Sequence, residues 1–155
     1  MSAGGAQVDL TTLTVDQLQE IRKQLDQELE YMTNSHMQLR QAKAKFLSCT
    51  ESVKQTFKAS NDGKQILVPL TSSLYVPANI HTDPKRVIVD IGTGYFIEKN
   101  SDDAVAFYTK KVGFLDTNLT DLEKIINAKG QNIQTVTEVM TAKMRQEQMS
   151  SAAAA

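Results

Sequence analysis

Gly92-Thr93-Gly94 is the point in the chain where residue types first suggest chemistry. Two close glycines after the β-branched run Val87 to Ile91 resemble the opening of a phosphate-binding loop. A dinucleotide fingerprint needs a third glycine three residues on and a helix behind it, whose N-terminal amides hold the pyrophosphate. Ile97 stands at that place, YFIEK follows Gly94 as strand-like sequence, and no Gly-Lys-Ser/Thr supplies a P-loop. The spacing predicts a tight hairpin turn with positive φ. The other candidates are as bare. His36 and His81 have no second His or Cys at ligand spacing and read as surface residues rather than metal ligands. Cys49 lies on a helical stripe without a nearby His and reads as a small buried hydrophobe. Asp102 and Asp103 fit a helix start, and no Ser/His/Asp set is supported by spacing. The expectation is no catalytic residue, no metal, no cofactor, and a protein that is not an enzyme.

Composition bounds what remains. The 155 residues fit one domain over 1–155, and 17 basic against 18 acidic side chains leave a net charge of −1. That near-neutral, interspersed charge argues against nucleic acid or an anionic membrane as partner. The single cysteine excludes an internal disulfide and suits a reducing compartment. MSAGGAQVDL has neither the basic nor the apolar region of a secretory signal, so a cytoplasmic location is expected. Trp is absent and only 6% of residues are aromatic, a composition that suits helices sharing a narrow seam.

The elements that position these residues follow from periodicity. Thr14, with Gln17 three residues on, forms a capping-box signature at the start of a helix over about 14–58. Leu18, Leu25, Met32, Leu39, Phe46 and Val53 then recur every seventh residue, with Ile21, Glu28, Ser35, Ala42 and Cys49 as companions. A sustained sevenfold repeat is a coiled-coil seam. Asn61, Asp62 and Gly63 predict its stop, Gly63 by adopting the left-handed conformation. Between about 65 and 98 lie four short apolar runs that read as two β-hairpins, QILVPL with SLYVP and RVIVDI with GYFIEK. Pro69 and Pro77 confine the first pair to edge or irregular positions. Ser101 is the expected N-cap of a second helix over about 101–149, with the seam Val112, Leu119, Ile126, Ile133 and Met140. Both ends of the chain read as flexible.

Each helix would run about 45 residues, roughly 65–70 Å. The economical fold is α+β, an antiparallel coiled-coil hairpin with two β-hairpins at its base, Val53 lying near Val112. The strands are apolar on both faces, and such strands are covered on both faces. The expectation is an obligate oligomer assembled through the β region. At the other end, Leu10, Leu13, Val15 and Leu18 meet Val139, Met140, Met144 and Met149, an apolar end suited to docking exposed hydrophobic segments.

The words of the sequence also resemble a family. LDQELEYM in the first helix, GKQILVPLTSSLYVPANI and VIVDIGTGYFIEK are similar to the α-type prefoldin subunits over about residues 10–148. The resemblance implies a hexamer with one other α-type and four β-type subunits joined through a β-barrel. It implies capture of non-native actin and tubulin at coiled-coil tips and delivery to the cytosolic chaperonin without ATP. Presence in the nucleus as well as the cytoplasm is a separate expectation. Carried onto this chain, assembly falls to Leu67, Val68, Leu70, Leu74, Tyr75, Val76, Val87, Val89, Ile91, Tyr95 and Ile97, with Gly92 and Gly94 shaping the turn. Gly113 and Gly130 inside helix two, and Lys129 and Lys143 at inward positions, depart from an ideal seam. The alternative from another class is a coiled-coil scaffold or transcriptional partner-binding protein that holds no clients.

Overall fold

The computed structural model describes residue 10 and residues 12–153, with side chains to residue 149. Its elements are α1 (Val15–Thr56), a single 3₁₀ turn (Ala59–Asn61), β1 (Gln65–Pro69), β2 (Tyr75–Asn79), β3 (Arg86–Gly92), β4 (Tyr95–Asn100) and α2 (Ser101–Ala153). They fall into two compact units. A helical unit comprises the described parts of Met1–Gln38 and Leu119–Ala155, and a hairpin unit comprises Leu39–Asn118. The expected flexibility of residues 1–9 and 154–155 lies outside the described residues. Helix α2 continues to Ala153 rather than ending near 149.

In the helical unit the capping box forms as its residue types require. Thr14 N–H donates to Gln17 Oε1 at 3.0 Å, and Gln17 N–H donates to Thr14 Oγ1 at 3.3 Å. Two amides that α1 cannot satisfy internally are thereby paired. Leu18, Val136 and Met140 are buried together, with Leu10, Leu13, Val15, Ile21, Leu25 and Val139 packed against them. Leu119 is buried, and Met32, Ile126 and Ile133 are half-buried, so the heptad stripe coincides with the covered face. The helices run antiparallel. Lys143 Nζ donates to the Leu13 carbonyl, Lys129 Nζ meets the Glu28 carboxylate, and His36 Nε2 lies 3.2 Å from Glu123 Oε1. Rising numbers on α1 thus meet falling numbers on α2. These contacts also account for the two inward lysines, whose apolar stems stay in the seam while each ammonium reaches an oxygen.

The hairpin unit carries the other halves of both helices. Leu39, Phe46, Val53 and Val112 are half-buried, and Ala104 and Leu115 are buried. Phe46 and Tyr108 stack with centroids 6.0 Å apart, and Lys43 pairs with Asp116 at 2.5 Å. Val53 shares a cleft with Val105 and Ser101, one heptad from the expected Val112. A heptad shift leaves the stripe unchanged, so periodicity alone could not choose between the two registers.

Two boundaries differ from expectation. Helix α1 ends at Thr56, before Ser60-Asn61-Asp62-Gly63; Asn61 Nδ2 donates back to the Gln55 carbonyl at 2.6 Å. Gly63 has φ +69° but follows the 3₁₀ turn, where its N–H donates to the Ile80 carbonyl at 2.9 Å and begins the first hairpin. At α2 the cap is Asn100, not Ser101: Asn100 Oδ1 accepts from Asp103 N–H at 2.8 Å. Asparagine and serine cap about equally well, so the adjacent pair was ambiguous in the sequence.

The strands form two separate two-stranded antiparallel ribbons, β1 with β2 and β3 with β4. The first pairs Gln65 with Asn79 through Pro69 with Tyr75. The second pairs Arg86 with Asn100 and carries an irregularity between Asp90 and Gly92.

Candidate functional site

Each unit presents an apolar surface, and the two differ in how much the chain uses itself. The first hairpin is uncovered on both faces. Leu67 is 65% exposed, and Ile66, Val68, Leu70, Leu74, Tyr75 and Val76 are exposed with it. Val68 stands opposite Val76, and Leu70 N–H donates to the Leu74 carbonyl at 2.9 Å, so these side chains crowd one short ribbon. At its turn Thr71 Oγ1 accepts from Leu74 N–H at 3.1 Å. A two-stranded ribbon is marginal in water, and a contiguous exposed apolar patch marks a contact surface.

The second hairpin is two-sided. Val89 is 1% exposed, and Val87 and its cross-strand partner Lys99 are half-buried, so this face is covered within the chain. The opposite face presents Ile88, 74% exposed, and Phe96, 64% exposed, with Ile91 and Tyr95 near the turn. This corrects the residue set expected from the sequence. Val89 belongs to the chain's own core, Val87 is partly used by it, and Ile97, paired with Val89, sits at the margin of the covered face. Ile88, Phe96 and Ile66, outside the expected set, are exposed as well. Strand alternation separates the two faces of β3, but only the neighbouring elements decide which face is covered.

The turn that opened the question of chemistry is a turn. Gly92, Thr93 and Gly94 have φ of +112°, +52° and +82°, and Asp90 Oδ1 accepts from Gly92 N–H at 2.8 Å. Strand β4 follows it, not a helix, so no helix N-terminus faces the loop. Among the described residues no group of three or more His, Cys, Asp or Glu could hold a metal ion. His36 is half-buried against Glu123 rather than lying free on the surface. Cys49 is half-buried beside Tyr108; burial first, then the Cys49 thiol and Asp90, pushes the Tyr108 hydroxyl above its usual range. Asp62 Oδ1 accepts from both Thr82 N–H and Thr82 Oγ1–H at 2.9 Å, and these bonds, the backbone one foremost, hold its carboxyl below the ordinary value.

In the helical unit the expected docking set is largely consumed. Leu18 and Met140 are buried, and Leu10, Leu13, Val15 and Val139 pack against them. Only Met144 and Met149 of that set are exposed. The correction has a plain cause: Leu18 and Met140 are seam residues, and the segment before α1 returns over them, with the Leu13 carbonyl held by Lys143.

Two long helices carry two antiparallel hairpins whose apolar side chains are largely exposed. Comparison with known proteins identifies the class. The Prefoldin family model, described as a prefoldin subunit, matches residues 14–146. This chain belongs to the prefoldin family, whose members are chaperone subunits rather than enzymes. It is 44% identical over 143 residues to a probable prefoldin subunit 5 of Schizosaccharomyces pombe, covering 92% of this chain and 93% of that one. Prefoldin subunit 5 of Homo sapiens is 37% identical over 139 residues, covering 90% and 89%. A cryo-EM structure of filamentous PFD from Methanocaldococcus jannaschii shares the fold with a TM-score of 0.65 at 19% identity, over 77% of this chain and 98% of that one.

Proposed function

We propose that this chain is the subunit-5-type member of a hexameric prefoldin co-chaperone in the cytoplasm. It joins one other α-type and four β-type subunits, captures non-native chains such as actin and tubulin, and passes them to the cytosolic chaperonin without ATP. The observation that carries the reading is the first hairpin, apolar and uncovered on both faces. Its exposed side chains, with Ile88 and Phe96 on the second hairpin, form the assembly surface, because burying them together recovers the hydrophobic free energy the lone chain leaves unused. Capture uses the exposed Met144 and Met149 at the end of α2, where flexible thioethers adapt to varied apolar segments. Each contact is weak, and several subunits acting on one client supply avidity.

Native mass spectrometry of the complex isolated on this chain tests the reading. The expected result is a six-chain assembly with one other α-type and four β-type subunits. A monomer, or a complex with folded partners only, would overturn it.

A further inference from the structure

Within the hairpin unit, one face of α2 lies outside the heptad seam, half-buried beside Lys99 of β4 at its Phe107 end and exposed at its Phe114 end. Phe107, Lys110, Lys111 and Phe114 stand at i, i+3, i+4 and i+7, hence on one side of the helix. The seam residues Tyr108, Val112 and Leu115 lie beside this face, not on it. Phe114 is 65% exposed. The four side chains line a cleft of about 350 Å³. A second cleft of about 330 Å³ shares Phe107 and Lys111 and reaches Asp90–Gly92 at the end of β3. The two clefts adjoin at Phe107 and Lys111, and Phe46, Cys49 and Tyr108 complete the second.

The charge of the groove is also distinctive. Lys99 Nζ and Lys111 Nζ lie 5.9 and 5.5 Å from the centre of the Phe107 ring. None of Lys99, Lys110 and Lys111 is among the ion pairs of the described residues, whereas the nearby Asp116 is taken by Lys43. Of the residues lining the two clefts, Asp90 alone carries a carboxylate, at the β3 end; beside Phe114 the lining charges are the ammonium groups of Lys110 and Lys111. Two aromatic anchors about 10 Å apart along a helix, flanked by unpaired ammonium groups, complement a segment with apolar side chains at the same spacing and carboxylates between them.

We infer that the Phe107–Phe114 face of α2 docks an acidic amphipathic segment of a partner protein. This surface is distinct from the ribbons that assemble the complex and from Met144 and Met149. The test uses the intact complex carrying this chain and a fluorescein-labelled helical peptide of Leu and Glu, with Leu at i, i+3, i+4 and i+7, read by anisotropy. Saturable binding is expected, weaker in higher salt. It should fall about tenfold in Phe114→Ala and at least as far in Lys110→Glu/Lys111→Glu. The same peptide with Lys in place of Glu should not bind through this face. No binding, or equal binding by both variants and the parent complex, overturns the inference. So does protection of a Phe114→Cys thiol from maleimide in the complex, which would mean that a neighbouring subunit occupies the groove.

Discussion

Exchanging one residue on each face of β3 separates folding from assembly. Val89 is 1% exposed, so Val89→Ala removes two buried methyl groups, about 1.6 kcal/mol at about 0.8 kcal/mol per carbon. The cavity left behind raises the loss to about 2–3 kcal/mol. Ile88, the adjacent residue, is 74% exposed, and Ile88→Thr keeps the β-branch that suits a strand. For the chain alone, that change should stay within about 0.5 kcal/mol, the range of ordinary surface substitutions. If the exposed face of β3 is an assembly surface, as proposed, the order reverses in the complex: Ile88→Thr should lower the yield of assembly well beyond its effect on folding. Urea unfolding followed by circular dichroism gives the first quantity, and native mass spectrometry at matched subunit concentrations gives the second. If Ile88→Thr destabilises the isolated chain as much as Val89→Ala does, the two faces of the ribbon have been assigned the wrong way round.

Two further outcomes follow from the same geometry. At both Gly113 and Gly130 an added Cβ would meet nothing within 4 Å. Each Gly→Ala change should therefore stabilise α2 by about 0.5–1 kcal/mol, read as a rise in urea midpoint. A fall would mean that the open space beside the helix is filled by another chain. Asp62 has its folded carboxyl held below the unfolded value by Thr82, so its contribution is present above the unfolded value of about 3.9 and is lost as pH falls through the lower folded one. Thr82→Val removes the hydroxyl bond and keeps the backbone one, so it should move the Asp62 titration, followed by carboxyl NMR, part of the way up toward the ordinary range. An unmoved titration would mean that the Thr82 hydroxyl does not contribute to the lowering.

The helices were legible because their signals are local or strictly periodic. Thr14 and Gln17 announce a capping box in two letters, and the sevenfold stripe from Leu18 to Val53 names the covered face whatever lies opposite it. The register was not legible for the same reason. Val53 against Val105 and Val53 against Val112 satisfy one pattern equally, and only the placement of α2 decides. The ribbons show the converse limit. Alternation in β3 separates Val87 and Val89 from Ile88, but both sets are apolar, so the letters do not say which set the chain keeps for itself. In the helical-unit set, two seam residues, Leu18 and Met140, were read as docking residues, and the structure buries both. Leu18 and Met140 had already been counted in the repeat, and that repeat required them inside.

The two ribbons share no strand-to-strand hydrogen bonds, so each keeps its outer edges unpaired. For a cell, this turns subunit supply into a quality-control problem. Every copy made in excess of its companions displays templates for strand addition, to strangers and to other surplus copies alike. An assembly that closes on itself removes those templates, whereas contacts that never close add copies without end. Matching synthesis of this chain to that of its partners, or destroying the surplus quickly, is thus a condition the ribbons impose on the cell.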